Sequence, residues 1–282
     1  MSLAVGRLDL PDSDIACAAI QLVFDVSPEF VANHSLRSYL FARELATAKG
    51  LQPDVDYDDE LVFLSCILHD LGATDYADGD QRFEVDGADA AARFLHDHGV
   101  DQARVATVWQ AIALHTSVGL AHRFGAEQAI AQMGISADIV GADSHLLPPD
   151  FADRAHASWP RHAVGYALAE VIARQVEDNP LKGPPLTFPD HLHQLIYRTQ
   201  PPATWFDLVR AAGWDDQPNA TRMAEVPPPP HETRATETSV VAGSASPPHA
   251  DAERFQTHGE GHHRDGDHPH GETAPGAPSP GG

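Results

Sequence analysis

Four residues in the first half of the chain have the types and order needed to hold a divalent cation: His34, the adjacent pair His69-Asp70, and Asp138. The pair closes the run LVFLSCILHDLG, residues 61–72. An ionisable dipeptide at the end of so apolar a stretch is costly to bury, and a bound divalent cation is the simplest compensation. Imidazole and carboxylate together suit a first-row ion such as zinc, with manganese or iron as alternatives. Neighbouring side chains on a helix diverge by about 100°, so both members of the pair can turn toward one ion most easily at a helix end, where Gly72 relieves the backbone. Three or four protein ligands with one open position leave room for a water. Zinc can bring the pKa of such a water to about 7, which makes a nucleophile at neutral pH.

The elements that must carry these residues read as helices. Ser27-Pro28 has the form of a helix start, and the segment up to Gly50 places His34, Ser38, Phe41 and Leu45 on one face, so His34 points inward. Asp56, Asp58 and Asp59 offer cap and first-turn charge to a second helix through Leu61, Leu64 and Leu68. That helix is apolar almost all round and is expected to be central. A third is expected from about Asp86 to His98, stopped by Gly99. Asp101 can cap a fourth with an inward stripe of Val105, Val108 and Ile112, Trp109 alongside, and His115 continuing the stripe. A fifth, near 127–143, carries core positions Ile130, Met133, Ala137 and Val140 beside a face of small residues, Ala131, Gly134, Asp138 and Gly141. Small residues let backbones approach closely, which would place Asp138 in a crowded helix junction. A further helix is expected from Trp159-Pro160 to about Asp178, broken by Pro180, Pro184 and Pro185, and a last short one near 204–212. There is no internal repeat and no hairpin signal, so the expected fold class is all-α.

Composition sets the limits. From about Gln217 the chain turns to Pro, Gly, His, Ser, Thr and Glu, a mixture that cannot bury enough surface to offset the entropy of ordering it. The expectation is one globular domain over 1–216 and a disordered tail over 217–282, whose histidines read as solvated. The formal net charge of −23 argues against a nucleic-acid polymer as partner and against an anionic membrane surface. It leaves nucleotides open as substrates, since a metal supplies local positive charge. Two cysteines, Cys17 and Cys66, make no disulfide framework. The N-terminal stretch lacks the apolar core of a signal peptide and no run is long enough to span a bilayer. The expected setting is cytoplasmic, with a small-molecule substrate as the partner; a homo-oligomer is compatible with the sequence.

The order H…HD…D resembles the signature of the HD-domain superfamily of metal-dependent phosphohydrolases and related enzymes, over about residues 20–200. Within it, NHSLRSYLFA (33–42), CILHDLGATD (66–75), RFEVDGADAA (82–91), ALHTSVG (113–119) and ADIVGAD (137–143) are similar to the cyanamide hydratase branch, which adds water to a nitrile carbon with one metal ion and yields urea. Leu71 stands where that branch usually has isoleucine, and Leu114 where it has arginine before the histidine. The resemblance implies that His34, His69, Asp70 and Asp138 ligate one divalent metal; in a hydratase Asp70 could also steer the water proton. It implies a pocket carboxylate at Glu84, a substrate-orienting or proton-carrying histidine at His115, and a cavity position at Thr74. His122, with His115, lies between the HD pair and Asp138 and could join a two-metal variant of the site. Three functions follow: a single-metal hydratase or hydrolase of a small neutral molecule, a phosphohydrolase with Arg37 and Arg82 as the phosphate clamps, or a metal-stabilised module without catalysis. The presence of only two lysines, Lys49 and Lys182, favours the first.

Overall fold

A computed structural model describes residues 8–197 and 204–214. The chain divides into two units, Met1–Pro218 and Asn219–Gly282, and every described residue belongs to the first. The tail expected from residue 217 lies outside the described residues.

Among the described residues the fold is all-α, with ten α-helices and five short 3-10 turns. The first, α1 (Asp14–Val26), is capped by Ser13, whose hydroxyl accepts from the Ala16 amide. The second, α2 (Glu29–Ala48), follows Pro28. Asp58 caps α3 (Asp59–Leu68) by accepting from the Leu61 amide, which satisfies one of the amides left free at any helix start. Then come α4 (Phe83–Asp97), α5 (Gln102–Leu114) and α6 (Ala126–Val140). Asp101 caps α5 by accepting from the amides of Ala103 and Arg104. The last four are α7 (Phe151–Ser158), α8 (Val164–Asp178), α9 (Phe188–Tyr197) and α10 (Trp205–Ala211).

Helix α3 lies at the centre. Every residue from Leu61 to Leu68 is buried, and it packs against α1, α2, α5 and α6. Each fully buried Leu, Ile or Phe there contributes roughly 1.5–3 kcal/mol. The continuous core is what forces the polar end of α3, His69-Asp70, into the interior. Helices α2 and α6 run against each other at very close range. A Cβ on Gly134 would lie 2.1 Å from the Ser38 carbonyl oxygen and 2.6 Å from the Ala42 amide nitrogen. The small-residue face of α6 therefore makes the approach the sequence suggested. The pairing of α8 with α9 closes one side of the domain over the ends of α4 and α6.

Several expected elements differ. Helices α1, α7 and α9 carry no expectation from the sequence reading. The expected long helix at Trp159-Pro160 begins later, at Val164. Trp159 instead ends α7 in an extended conformation, as a residue before proline prefers. Val140, expected in the core, is exposed, because α6 ends there at Gly141, which adopts φ 70°. Lys182 is buried and donates to Asp78, to Asp86 and to the Gly79 carbonyl. It ties the turn after α8 to the segment that leads into α4.

Candidate metal centre

Helix ends build the centre. His69 is the residue that closes α3, and its Nδ1 donates to the Cys66 carbonyl at 2.7 Å. His115 closes α5 in the same way, with Nδ1 donating to the Ile112 carbonyl at 2.7 Å. Carbonyls in the last turn of a helix lack their usual i+4 amide partner; each imidazole takes up one of them, Ile112 also accepting from the His115 amide, and in doing so fixes its own tautomer. The ring is left with its lone pair on Nε2. His34, in the middle of α2, reaches the same state by another route: its Nδ1 donates to Asp138 at 2.7 Å.

Three Nε2 atoms consequently converge on Asp70. The His34 and His69 Nε2 atoms are 3.1 Å apart. Asp70 Oδ2 lies 3.1 Å from His69 Nε2 and 3.7 Å from His34 Nε2, and Oδ1 lies 3.9 Å from His115 Nε2. The short contact to His69 is out of line for a hydrogen bond, and neither Asp70 oxygen receives one, although both are buried. Two imidazole lone pairs facing each other beside an uncompensated buried carboxylate are repulsive unless a cation lies among them. His34, His69 and Asp70 offer ligand atoms that all lie within 4.8 Å of one another. This clustered His/Asp site is capable of coordinating a divalent metal ion.

Electrostatics point the same way. Burial opposes ionisation of Asp70, but His69, then His34 and His115, outweigh it and hold the carboxyl well below the usual range. Burial likewise opposes a charged His69, yet the Asp70 carboxylate lifts its pKa. Burial lowers His34 despite the bond to Asp138. His115 is lowered to about 4 by burial first and the charge of His69 second, so it is neutral at physiological pH. Between about pH 6.5 and 4 the unfolded chain therefore binds more protons at His115 than the folded chain, and this group's contribution to stability is lost as pH falls through that window. The stability difference between wild type and His115→Gln is expected to shrink by on the order of 2 kcal/mol from pH 7 to pH 5. Urea melts of both proteins at the two pH values measure it; parallel pH profiles would reject the assignment.

The other expected site residues fall in distinct places. Asp138 lies behind His34, outside the three-residue cluster. It accepts Nε and Nη2 of Arg37 at 2.8 and 2.7 Å and Nη1 of Arg161 at 3.0 Å. Arg37, expected beside substrate, is fully buried; besides Asp138 it donates to the carbonyls of Trp159 and Pro160. It braces α2 against α6 and the chain after α7, and does not line the cavity at the metal centre. Glu84 is buried and accepts from Arg82 at 2.5 Å and from Thr116. It holds Thr116, which lines the cavity, without lining it itself. Thr74 donates to the Leu71 carbonyl and lines a different cavity with Asp75, Arg174 and Gln175. His122 is exposed and belongs to neither the cluster nor the cavity. Gly72 brings α4 onto the end of α3: a Cβ there would lie 1.8 Å from the Phe83 carbonyl oxygen.

The cluster opens into a cavity of about 340 Å³. His34, His69, Asp70 and His115 line it, with Thr116 and Ser136 as the remaining polar residues. Most of its wall comes from α6, α8 and α9. The reading of the sequence missed this wall because α9 was not foreseen and because the apolar stripe of α8 looks like ordinary core. Arg161 was also missed as a site residue; the neighbouring Trp159-Pro160 was read only as a helix start.

Comparison with known proteins adds one positive finding. Residues 31–138 match the model of the HD domain, a span that begins just before His34 and ends at Asp138. The chain thus carries an HD-domain metal-binding module, with His34, His69 and Asp70 at its centre. No curated protein matches the chain. No helix among the described residues is long and apolar enough to cross a membrane. The site is compatible with metal-dependent hydrolytic or lyase chemistry.

Proposed function

We propose that this protein is a metal-dependent hydratase or hydrolase that adds water to a small neutral electrophile, as in the cyanamide hydratases its motifs resemble. The observation that carries the reading is Asp70: a buried carboxylate with both oxygens unsatisfied, facing imidazole lone pairs. His34, His69 and Asp70 would hold one divalent ion, zinc by ligand type, with manganese or iron as alternatives. Such an ion supplies Lewis acidity that brings the pKa of water toward about 7.

The chain's own groups supply the rest. Asp138 keeps His34 in the tautomer that presents Nε2. His115 is neutral, has its lone pair on Nε2 and stands at the cavity wall, so it can accept a proton from the attacking water and return it to the substrate. For a nitrile the balance is simple. The water oxygen bonds to the carbon as one carbon–nitrogen π bond breaks and one hydrogen goes to nitrogen, giving an imidic acid; its remaining O–H proton then moves to nitrogen as the second carbon–nitrogen π bond is exchanged for the carbonyl of the amide.

A phosphate ester is a poorer fit. Phosphate sites usually set Arg or Lys beside the metal, and among the described residues no lysine or arginine lines the cavity. The two arginines nearest in sequence are both committed, Arg37 to Asp138 and Arg82 to Glu84.

The test quantifies metal in the full chain and in Asp70→Ala, so that metal held elsewhere is subtracted. Urea formation from cyanamide is then compared with phosphate release from a nucleotide panel. Urea formation that depends on Asp70 supports the reading; phosphate release without hydration refutes it. The role of Asp138 is separable. Asp138→Asn is expected to weaken metal binding about 10–100-fold, the usual cost of removing an outer-shell partner. A loss as deep as that of Asp70→Ala in a folded protein would show that Asp138 is itself a ligand.

A further inference from the structure

The cavity is much larger and more apolar than cyanamide requires. Its 340 Å³ lies within the range of roughly 300–1,000 Å³ seen for pockets that enclose drug-sized ligands. A molecule of three heavy atoms occupies about the space of two waters, each with a share of roughly 30 Å³. The ionisable lining residues are His34, His69, Asp70 and His115, and the distances between them confine them to one end. Away from that end the wall is Ile135 and Ile139 of α6, Leu168 and Ile172 of α8, and Phe188 and Leu192 of α9. Leu168 and Leu192 are only partly buried, and Phe188 is 39% exposed. Among the described residues, Leu168, Phe188 and Leu192 thus form an apolar strip beside the metal cluster that is left partly uncovered, backed by the buried Ile135 and Ile172. Water gains little from such a strip, and an apolar ligand body gains about 25 cal/mol for each Å² it removes from solvent.

We infer that the substrate is a neutral molecule with a compact polar head and an aliphatic or aromatic body of several carbons, the head at His69, Asp70 and His115 and the body between α6, α8 and α9. This inference rests on the metal-dependent reading of the cluster and extends it by naming the substrate class. A charged body is disfavoured because the strip's described residues offer no partner for it, and a body as small as an amino group leaves most of the wall wet.

The test uses the full-length, zinc-loaded protein and a series of straight-chain alkyl hydroxamates, whose head binds zinc, from two to eight carbons. Titration calorimetry gives the affinity of each, with Asp70→Ala as the blank for zinc held elsewhere. Affinity is expected to rise about threefold to fourfold per added methylene, then level off when the cavity is full. Gly165 lines the cavity, and a Cβ there would meet nothing within 4 Å, so Gly165→Phe can narrow the cavity from open space without a backbone clash. This variant is expected to abolish the gain for the longer members. Leu192→Ser, at a partly buried position, is expected to reduce the slope of the series. An affinity that stays flat or falls with chain length, while the two-carbon member still binds, overturns the inference and leaves the metal reading standing. Failure to retain Asp70-dependent zinc, seen before any hydroxamate is added, overturns the metal reading itself and this inference with it.

Discussion

Asp70→Ala is expected to reduce affinity for a divalent metal by more than 100-fold, beyond the roughly 10–100-fold cost of losing an outer-shell partner, and to remove hydration activity with it. The reason is geometric. Asp70 supplies the only carboxylate of the three-residue cluster, with both oxygens free of hydrogen bonds. Its removal leaves two neutral imidazoles whose Nε2 atoms stand 3.1 Å apart, with no negative charge to balance an ion. The effect is readable without a substrate. A ligand that binds only the folded state stabilises it by about 2.7 kcal/mol at a free concentration of 100 Kd. Zinc should therefore raise the melting temperature of the wild type and leave that of Asp70→Ala almost unchanged. Equal shifts in the two proteins would place the metal elsewhere and sink the proposed centre.

The second large effect is expected at a residue with no chemistry of its own. Gly134→Ala would set a methyl group 2.1 Å from the Ser38 carbonyl oxygen, 2.5 Å from Ala42 Cβ and 2.6 Å from the Ala42 amide nitrogen. These atoms are backbone or a short side chain and cannot swing away, so α2 and α6 must separate. Overpacking of this kind typically costs 1–3 kcal/mol and occasionally more; with backbone on the far side, a loss of about 3 kcal/mol is expected. The site should suffer too. One turn along α6 from Gly134 lies Asp138, and one turn back along α2 from Ser38 lies His34, so separating the helices draws Asp138 from His34 Nδ1. Metal affinity should fall together with stability. Gly165→Ala provides the contrast. A methyl there meets nothing within 4 Å, and alanine is favoured over glycine in a helix by up to about 1 kcal/mol. Denaturant melts of the two variants should move in opposite directions; similar losses in both would reject the close-contact argument.

The metal cluster was legible in the sequence because its cost was legible. An apolar helix ending in His-Asp announces a burial problem, and helical periodicity supplied His34 on an inward face. The small-residue face of α6 was legible for the same kind of reason, since Ala131, Gly134 and Asp138 recur at helical spacing. Arg37 shows where that logic stops. Its spacing from His34 sets it on the same side of α2, but spacing does not say which partner a guanidinium takes. Asp138 and two backbone carbonyls claim it before any substrate can. Thr74 is three residues beyond Leu71, and its hydroxyl bonds back to that carbonyl, which turns it from the metal cavity. Glu84 reaches the cavity only through Thr116. The wall of α8 and α9 was not legible at all, because an apolar stripe lining a cavity has the same pattern as one packed against another helix.

The hydrogen bonds from His69 to Cys66 and from His115 to Ile112 also tie ligand chemistry to helix length. In an unfolded chain either ring nitrogen can carry the proton, and nothing selects the one that leaves Nε2 bare. Selection comes when α3 and α5 stop where they do and offer a carbonyl to each ring. A metal ion bound at this centre would therefore favour chains whose α3 and α5 end in register, because those ends hold the tautomer that bares Nε2.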